Sequence, residues 1–300
     1  MSWSAERWAF ELTKLLNAAL GPDRFPVDVR QVAIEVSKQR FPDDRIVDVV
    51  GANLPNFDGA LYRMRTGGGW KIVYNNAIAS AGRINFTLAH ELGHYFLHRL
   101  AYPNGFECGQ QEVVRWDTEY GQIEAQANEF AATLLMPLDD FRRQISARER
   151  VDLERLKECA ARYRVSLIAV VLRWLRYTER RAVIVVSRDG FILWSRASAA
   201  AHRSGAFFRT SNVTVPVPDN SLAANTQNLV GGRGDVDHRA GVWLADPVRE
   251  MTIHAEQYDF SISLLTLDDA TPRFTQPDEE REPDASDRFA AKPRERFSIG

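Results

Sequence analysis

The segment from His90 to His98 holds the residues whose types and spacing are best suited to chemistry. It contains the pattern His-Glu-x-x-His, at positions 90 to 94, in a run that reads as helix. Residues four apart lie one above the other on a helix face, so His90 and His94 can offer two imidazole nitrogens to one metal ion. Glu91 leans to the side, where it can take a proton from water without being a ligand. The pattern therefore predicts half of a metal site.

The flanks of this pattern indicate a buried helix. The stretches 86–89 and 95–97 are apolar apart from Thr87, which could cap the helix or lie in its first turn. Buried polar groups need partners, and a metal ion would serve both histidines at once. The competing interpretation is a pair of histidines that are solvated or satisfied within the core. With the glutamate in place, the arrangement is typical of a zinc peptidase.

A catalytic zinc ion needs a third protein ligand. His98 lies eight residues beyond His90, or about 12 Å along an unbroken helix, which is too far to share a metal ion. The sequence has no glycine between His94 and His98 that could break the helix. We therefore expect His98 to support the site or to pack beside it.

A better third ligand lies in the amphipathic helix predicted over 122–136. Glu124 borders its apolar stripe, so the carboxylate should point toward the protein. Asn128 follows one turn later on the same side and could accept the Nδ1–H of a ligating histidine. Three other acids remain rival ligands: Asp117, Glu119 and Glu129.

The stretch 83–98, followed by Glu124-x-x-x-Asn128 and Leu134-Leu135-Met136-Pro137, closely resembles the ImmA/IrrE metallopeptidases. The resemblance spans about residues 5–180 and is strongest over 83–137. It implies a zincin-like, mostly helical domain in which His90, His94 and Glu124 hold Zn²⁺. In the same way it assigns Glu91 as the general base.

The resemblance also implies a function. We expect a zinc-dependent endopeptidase that cleaves a specific protein, a helix-turn-helix transcriptional repressor, and so derepresses stress-response or mobile-element genes. Tyr95 and Tyr120 are candidates for stabilising the oxyanion of the reaction. The alternative is a non-proteolytic regulatory module that binds DNA or protein and has a structural or vestigial zinc site.

Composition indicates the class of protein and its cellular compartment. The 300 residues carry a net charge of −2, and the sequence contains no apolar run of the roughly 20 residues that a membrane span needs. The amino terminus lacks the apolar core of a signal peptide. Cys108 and Cys159 are too few for a disulfide framework, which favours a reducing, cytoplasmic compartment and a passive thiol at Cys108.

Periodicity and turn residues predict an α+β fold with four parts. The metallopeptidase domain, 1–145, should have helices at 5–20 and 26–38 and a small antiparallel sheet from a hairpin over 59–75. A helix-turn-helix-like module over 146–180 comes next. A β-rich C-terminal α/β domain over 181–270 and a disordered tail over 271–300 complete the chain.

The module over 146–180 is a candidate for DNA contact. Two short helices are predicted within 152–177, with Ser166 as the cap of the second. Residues 142–181 contain twelve Arg or Lys against five Asp or Glu, an excess typical of a nucleic-acid footprint. The competing interpretation buries the second helix against the peptidase and leaves the arginines as a solvated face.

The C-terminal domain should begin with a hairpin, because Asp189-Gly190 separates two apolar runs. Further strands are expected at 212–217, 242–244 and 261–267. The ImmA/IrrE resemblance suggests a GAF-like sensor domain here, although no sequence motif marks one.

Overall fold

The computed structural model describes residues 3–109, 118–210, 213–256 and 259–269, with the backbone alone at 106–109 and 118–120. These residues form eight α-helices and two β-sheets, which confirms the α+β class. They divide into two compact units. The first comprises the described residues up to Leu138 together with Ala161–Ser166, and the second comprises Asp139–Ala160 and the described residues from Leu167 onward.

The range of the described residues bears on two further expectations. The tail over 271–300 lies outside the described part of the chain. Within the described part, no helix is both long enough and apolar enough to cross a membrane.

Two amphipathic helices open the first unit. Helix α1, Ala5–Leu20, has the bounds expected from its periodicity, and the Ser4 hydroxyl caps it by accepting a hydrogen bond from the Arg7 backbone N–H. Helix α2, Val29–Arg40, begins after its N-cap Asp28 and ends two residues later than expected.

Four strands form the sheet of the first unit: β1 (Ile46–Ala52), β2 (Phe57–Arg63), β3 (Trp70–Asn75) and β4 (Gly105–Gly109). They lie in the order β1-β3-β2-β4, so β1 and β4 are the edge strands among the residues that the structure describes. The expected hairpin is present as β2 and β3. The expectation of a wholly antiparallel sheet is wrong, because β1 runs parallel to β3. Parallel partners are joined by a long crossover rather than a tight turn, so no local signal announces them.

Helices α3 (Ala81–Leu97) and α4 (Thr118–Leu135) pack closely against each other. Gly93 of α3 permits this contact. A Cβ there would lie 3.2 Å from the Ala127 backbone and 3.1 Å from the Phe130 ring, so a larger side chain would push the helices apart.

Helix α3 begins earlier than the sequence suggested. Ser80 is its N-cap, and the Ser80 hydroxyl accepts a hydrogen bond from the Arg83 backbone N–H. Thr87 is therefore neither the cap nor part of the first turn. It lies in the second turn and is buried, as most of α3 is.

Three helices precede the second sheet: α5 (Leu138–Gln144), α6 (Leu153–Tyr163) and α7 (Leu167–Leu175). The sheet is antiparallel throughout its described strands, which lie in the order β7-β6-β5-β10-β9-β8. These strands are β5 (Arg181–Arg188), β6 (Phe191–Ala197), β7 (Val215–Pro216), β8 (Arg233–His238), β9 (Val248–Ala255) and β10 (Phe260–Leu267). Helix α8 (Ala199–Arg203) follows β6.

Most strand expectations for this region hold. The β5–β6 hairpin is confirmed, with Asp189 and Gly190 at φ of 51° and 78° as a type I′ turn requires. The strand expected at 242–244 is wrong, because these residues lie in the connection between β8 and β9. Trp243 is nevertheless buried, so the apolar run reflects packing of a loop onto the sheet.

The two helices expected at 152–177 are present as α6 and α7, but α7 does not resemble a DNA recognition helix. Every residue of α7 is buried or half-buried, and the helix packs against β5 and β6. Its one basic residue, Arg173, is buried as well. A recognition helix needs polar side chains facing the bases. The structure thus favours the buried-helix interpretation, with the second sheet as the packing partner.

A buried carboxylate anchors the loop that follows β7. Glu250 of β9 is fully buried and accepts hydrogen bonds from the backbone N–H groups of Leu222 and Ala223, each at 3.0 Å. It also accepts from three side chains: His238 at 2.7 Å, Trp243 at 2.9 Å and Thr252 at 2.7 Å. These donors replace the hydration that the carboxylate loses on burial.

We expect Glu250→Gln to lower the free energy of unfolding by about 3 kcal/mol, because an amide nitrogen would face donors that need an acceptor. Urea denaturation followed by circular dichroism measures the change. The control is Asp235→Asn, which removes an exposed ion pair with Arg249 on the same sheet and should cost less than about 1 kcal/mol. Equal effects of the two variants would contradict the anchoring role.

Candidate metal centre

Three side chains from two helices converge on one point. His90 and His94 lie one turn apart on α3, and their Nε2 atoms are 2.9 Å from each other. Glu124 of α4 lies 3.1 Å from each, through Oε2 to His90 and through Oε1 to His94. Among the described residues, these form the one group of His, Cys, Asp or Glu that could hold a metal ion.

The three groups fit a zinc ion. With zinc–ligand bonds of about 2.0–2.1 Å, a tetrahedral site has ligand-to-ligand edges of about 3.3 Å, close to the distances found here. The donor set is also one that zinc prefers, and three protein ligands leave a fourth position for water. Two buried imidazoles facing each other beside a carboxylate make a poor core without a cation.

Asn128 orients the first histidine. Its Oδ1 lies 3.0 Å from His90 Nδ1, and an amide oxygen can only accept, so the His90 ring donates from Nδ1. The proton is then absent from Nε2 of the neutral ring, and that nitrogen is the one facing the candidate metal position. Asn128 thus lies where the sequence predicted it.

His98 lies next to the second histidine but outside the ligand group. Its Nδ1 is 3.1 Å from His94 Nδ1, on the side of the ring away from Glu124, and its Nε2 is 3.0 Å from Gln126 Oε1. Sequence reasoning missed Gln126. Residues two apart lie on different sides of a helix, so nothing in the pattern linked Gln126 to Glu124.

Burial and mutual charge set the protonation of the group before metal binding. Burial alone would lower the pKa of His90, but the Glu124 carboxylate outweighs it and raises that pKa to about 9. Burial lowers the pKa of His94 to about 4. Burial opposes ionisation of Glu124 as well, yet the His90 charge holds the Glu124 pKa below its usual range. Near pH 7 and before metal binding, His90 is therefore charged and His94 is neutral.

Glu91 is buried at the contact between α3 and β2. Its side chain has no exposed area, and its negative charge contributes to the raised pKa of His90. Gly59 of β2 makes room for it. A Cβ at Gly59 would lie 2.9 Å from Glu91 Oε1 and 2.4 Å from Thr87 Cγ2. The backbone of β2 therefore bounds the position of the Glu91 carboxylate.

The expectation that Tyr95 stabilises an oxyanion is wrong. Tyr95 is fully buried, and its hydroxyl donates to the Asp44 backbone carbonyl at 2.9 Å. Its ring packs edge-on against Trp70, and burial raises the pKa of the phenol. Tyr95 is thus part of the core beneath α3, because the position after His94 turns toward the sheet.

Each of the remaining sequence candidates either lies apart from the ligand group or has a side chain outside the described residues. Glu129 accepts a hydrogen bond from the Thr133 hydroxyl and does not join the ligand group. The side chains of Tyr120, Glu119 and Cys108 lie outside the described residues, as does all of Asp117. Through its backbone Cys108 belongs to the edge strand β4 and pairs with Gly59.

Two histidines one turn apart, a glutamate from a second helix and an acid beside the first histidine define a metallohydrolase type of site. The model of the Peptidase_M78 family, described as the IrrE N-terminal-like domain, matches residues 42–175, so this stretch of the chain is similar to that family. The match includes all of the candidate ligands and Glu91, confirms the ImmA/IrrE resemblance and points to a metallopeptidase. No curated protein matches the chain.

We expect zinc binding near pH 7 to release about one proton, because a ligand nitrogen must be deprotonated and His90 is charged below its pKa of about 9. Isothermal titration calorimetry in buffers of different ionisation enthalpy measures the number. It should fall toward zero as the pH is raised through 9. A release of no proton at pH 7 would mean that His90 is already neutral.

Proposed function

We propose that the protein is a zinc-dependent endopeptidase in which His90, His94 and Glu124 are the metal ligands. The convergence of their donor atoms at 2.9–3.1 Å, beside a fully buried Glu91, carries the proposal. The match of residues 42–175 to the model of a peptidase family supports the choice of peptide bonds as the substrate class.

Each residue then has a distinct task. Zinc, when bound, is a Lewis acid that lowers the pKa of water and polarises a peptide carbonyl. Glu91 accepts the proton of the attacking water and passes it to the leaving amine. Asn128 keeps the His90 ring in the tautomer that leaves Nε2 for the metal.

The edge strand β4 is the place where we propose that an extended substrate binds. Strand β2 contacts Glu91 at Gly59, and β4 pairs with β2 on the side opposite β3. The Cα partner of Gly59 on β4 is Cys108. Among the described strands, β4 therefore forms the edge of the sheet directly beside the strand that bounds Glu91. Backbone hydrogen bonds to such an edge hold a peptide in extended form.

We propose a helix-turn-helix transcriptional repressor as the substrate, with derepression of stress-response or mobile-element genes as the result. The ImmA/IrrE resemblance supports this choice. The small number of cysteines, of which Cys159 is buried, supports a reducing cytoplasmic setting. Incubation of the zinc-loaded protein with repressors encoded beside its gene, followed by mass spectrometry of the products, tests the proposal.

Glu91→Gln should retain zinc and lose cleavage by about 10²-fold or more, because an amide cannot accept the proton. Zinc content by mass spectrometry and cleavage rate are measured on the same sample. Glu129→Gln on α4 is the control and should cleave normally. Normal cleavage by Glu91→Gln would contradict the assignment of Glu91 as the general base. Normal gene regulation without cleavage would favour the alternative, a non-proteolytic regulatory module.

Gly59→Ala should also retain zinc and slow cleavage by about 10²-fold, because the added Cβ would displace Glu91 and Thr87. Gly121→Ala is a matched control, since a Cβ at Gly121 meets nothing within 4 Å. The comparison is made on kcat at saturating substrate. If both variants cleave at the wild-type rate, β2 does not position the base.

A further inference from the structure

We propose that His98 and Gln126 are positioning residues that fix the tautomer and direction of the His94 ring. The inference rests on the proposed function, because it takes His94 as a metal ligand. It adds a second chain of contacts to the one in which Asn128 orients His90.

The two contacts run in sequence from the candidate metal position toward the surface. His94 Nδ1 lies 3.1 Å from His98 Nδ1, and His98 Nε2 lies 3.0 Å from Gln126 Oε1. His94 and His98 are buried, whereas Gln126 is exposed. The chain therefore links a buried ring to a side chain at the surface of α4.

Hydrogen-bond chemistry gives this chain one direction that suits a metal. A histidine that binds through Nε2 keeps its proton on Nδ1, so His94 must donate to His98. His98 Nδ1 then accepts, and the His98 proton is on Nε2, facing an amide oxygen that can only accept. The reverse direction would place a proton on His94 Nε2, where it would block the metal.

Helix α4 supplies the final acceptor for both histidines as well as the third ligand. Asn128 accepts from His90 directly, and Gln126 accepts from His94 through His98. Glu124 lies one turn before Asn128 on the same helix. A shift of α4 along α3 would disturb the ligand and both orienting contacts together.

Two variants of similar size separate the hydrogen bond from packing. In His98→Asn the side-chain oxygen can take the place of Nδ1 as acceptor, whereas His98→Leu offers none. We expect His98→Asn to bind zinc nearly as wild type does and His98→Leu to bind about 10–100-fold more weakly. Competition with a chromophoric chelator measures Kd, and thermal unfolding of the metal-free variants checks that both are folded.

Wild-type affinity in His98→Leu would overturn the proposal, and so would equal weakening in both variants. A direct readout is the ¹⁵N spectrum of the histidine rings in the zinc-loaded protein, where we expect His98 to be protonated at Nε2 and not at Nδ1. Protonation at Nδ1 would mean that the hydrogen bonds run in the opposite direction, which would refute the proposal. Failure of the wild type to bind zinc would refute the proposed function too, whereas tight binding with unchanged variants refutes the positioning role alone.

Discussion

The close approach of α3 to α4 is the constraint on which the candidate site depends. His90 and His94 come from one helix and Glu124 from the other, so a glutamate can reach both imidazoles only if the two backbones nearly touch. Gly93 allows this, since a Cβ there would meet Ala127 and Phe130 at 3.1–3.2 Å. A glycine in the middle of a helix costs about 1 kcal/mol relative to alanine. At position 93 the glycine permits the close contact that brings candidate ligands from two helices together.

Two different elements support the two parts of the candidate site. The candidate ligands are held by α4, through Glu124 itself and through the acceptors at 126 and 128, whereas Glu91 is bounded by β2 at Gly59. The candidate ligands and the candidate base are therefore positioned by different elements. Most of the polar groups involved are buried, so each contact matters more than it would in water. Asn128 and Gln126 satisfy ring nitrogens that would otherwise be costly to bury.

Local periodicity predicted the helices and the candidate ligands, because in both the residues of one helix face recur at spacings of three and four along the chain. Glu124 could be placed on the inner side of its helix, but the ImmA/IrrE resemblance was needed to choose it over the rival acids. Features that depend on distant pairing were missed. Neither the parallel pairing of β1 nor the contact of Gly59 with Glu91 leaves a local pattern, and Gln126 reaches the site from another side of α4.

A count of charges along the sequence likewise leaves out partners that are distant in the chain. The basic excess over 142–181 made this segment a candidate for DNA contact, but in the second unit acids from other segments lie beside three of its arginines. Arg181 pairs with Asp246, and Arg180 pairs with Asp269. Arg150 pairs with Asp268. A footprint for DNA needs an excess of positive charge in space rather than in sequence. With α7 buried against β5 and β6, this helix is better explained as a packing element of the second unit.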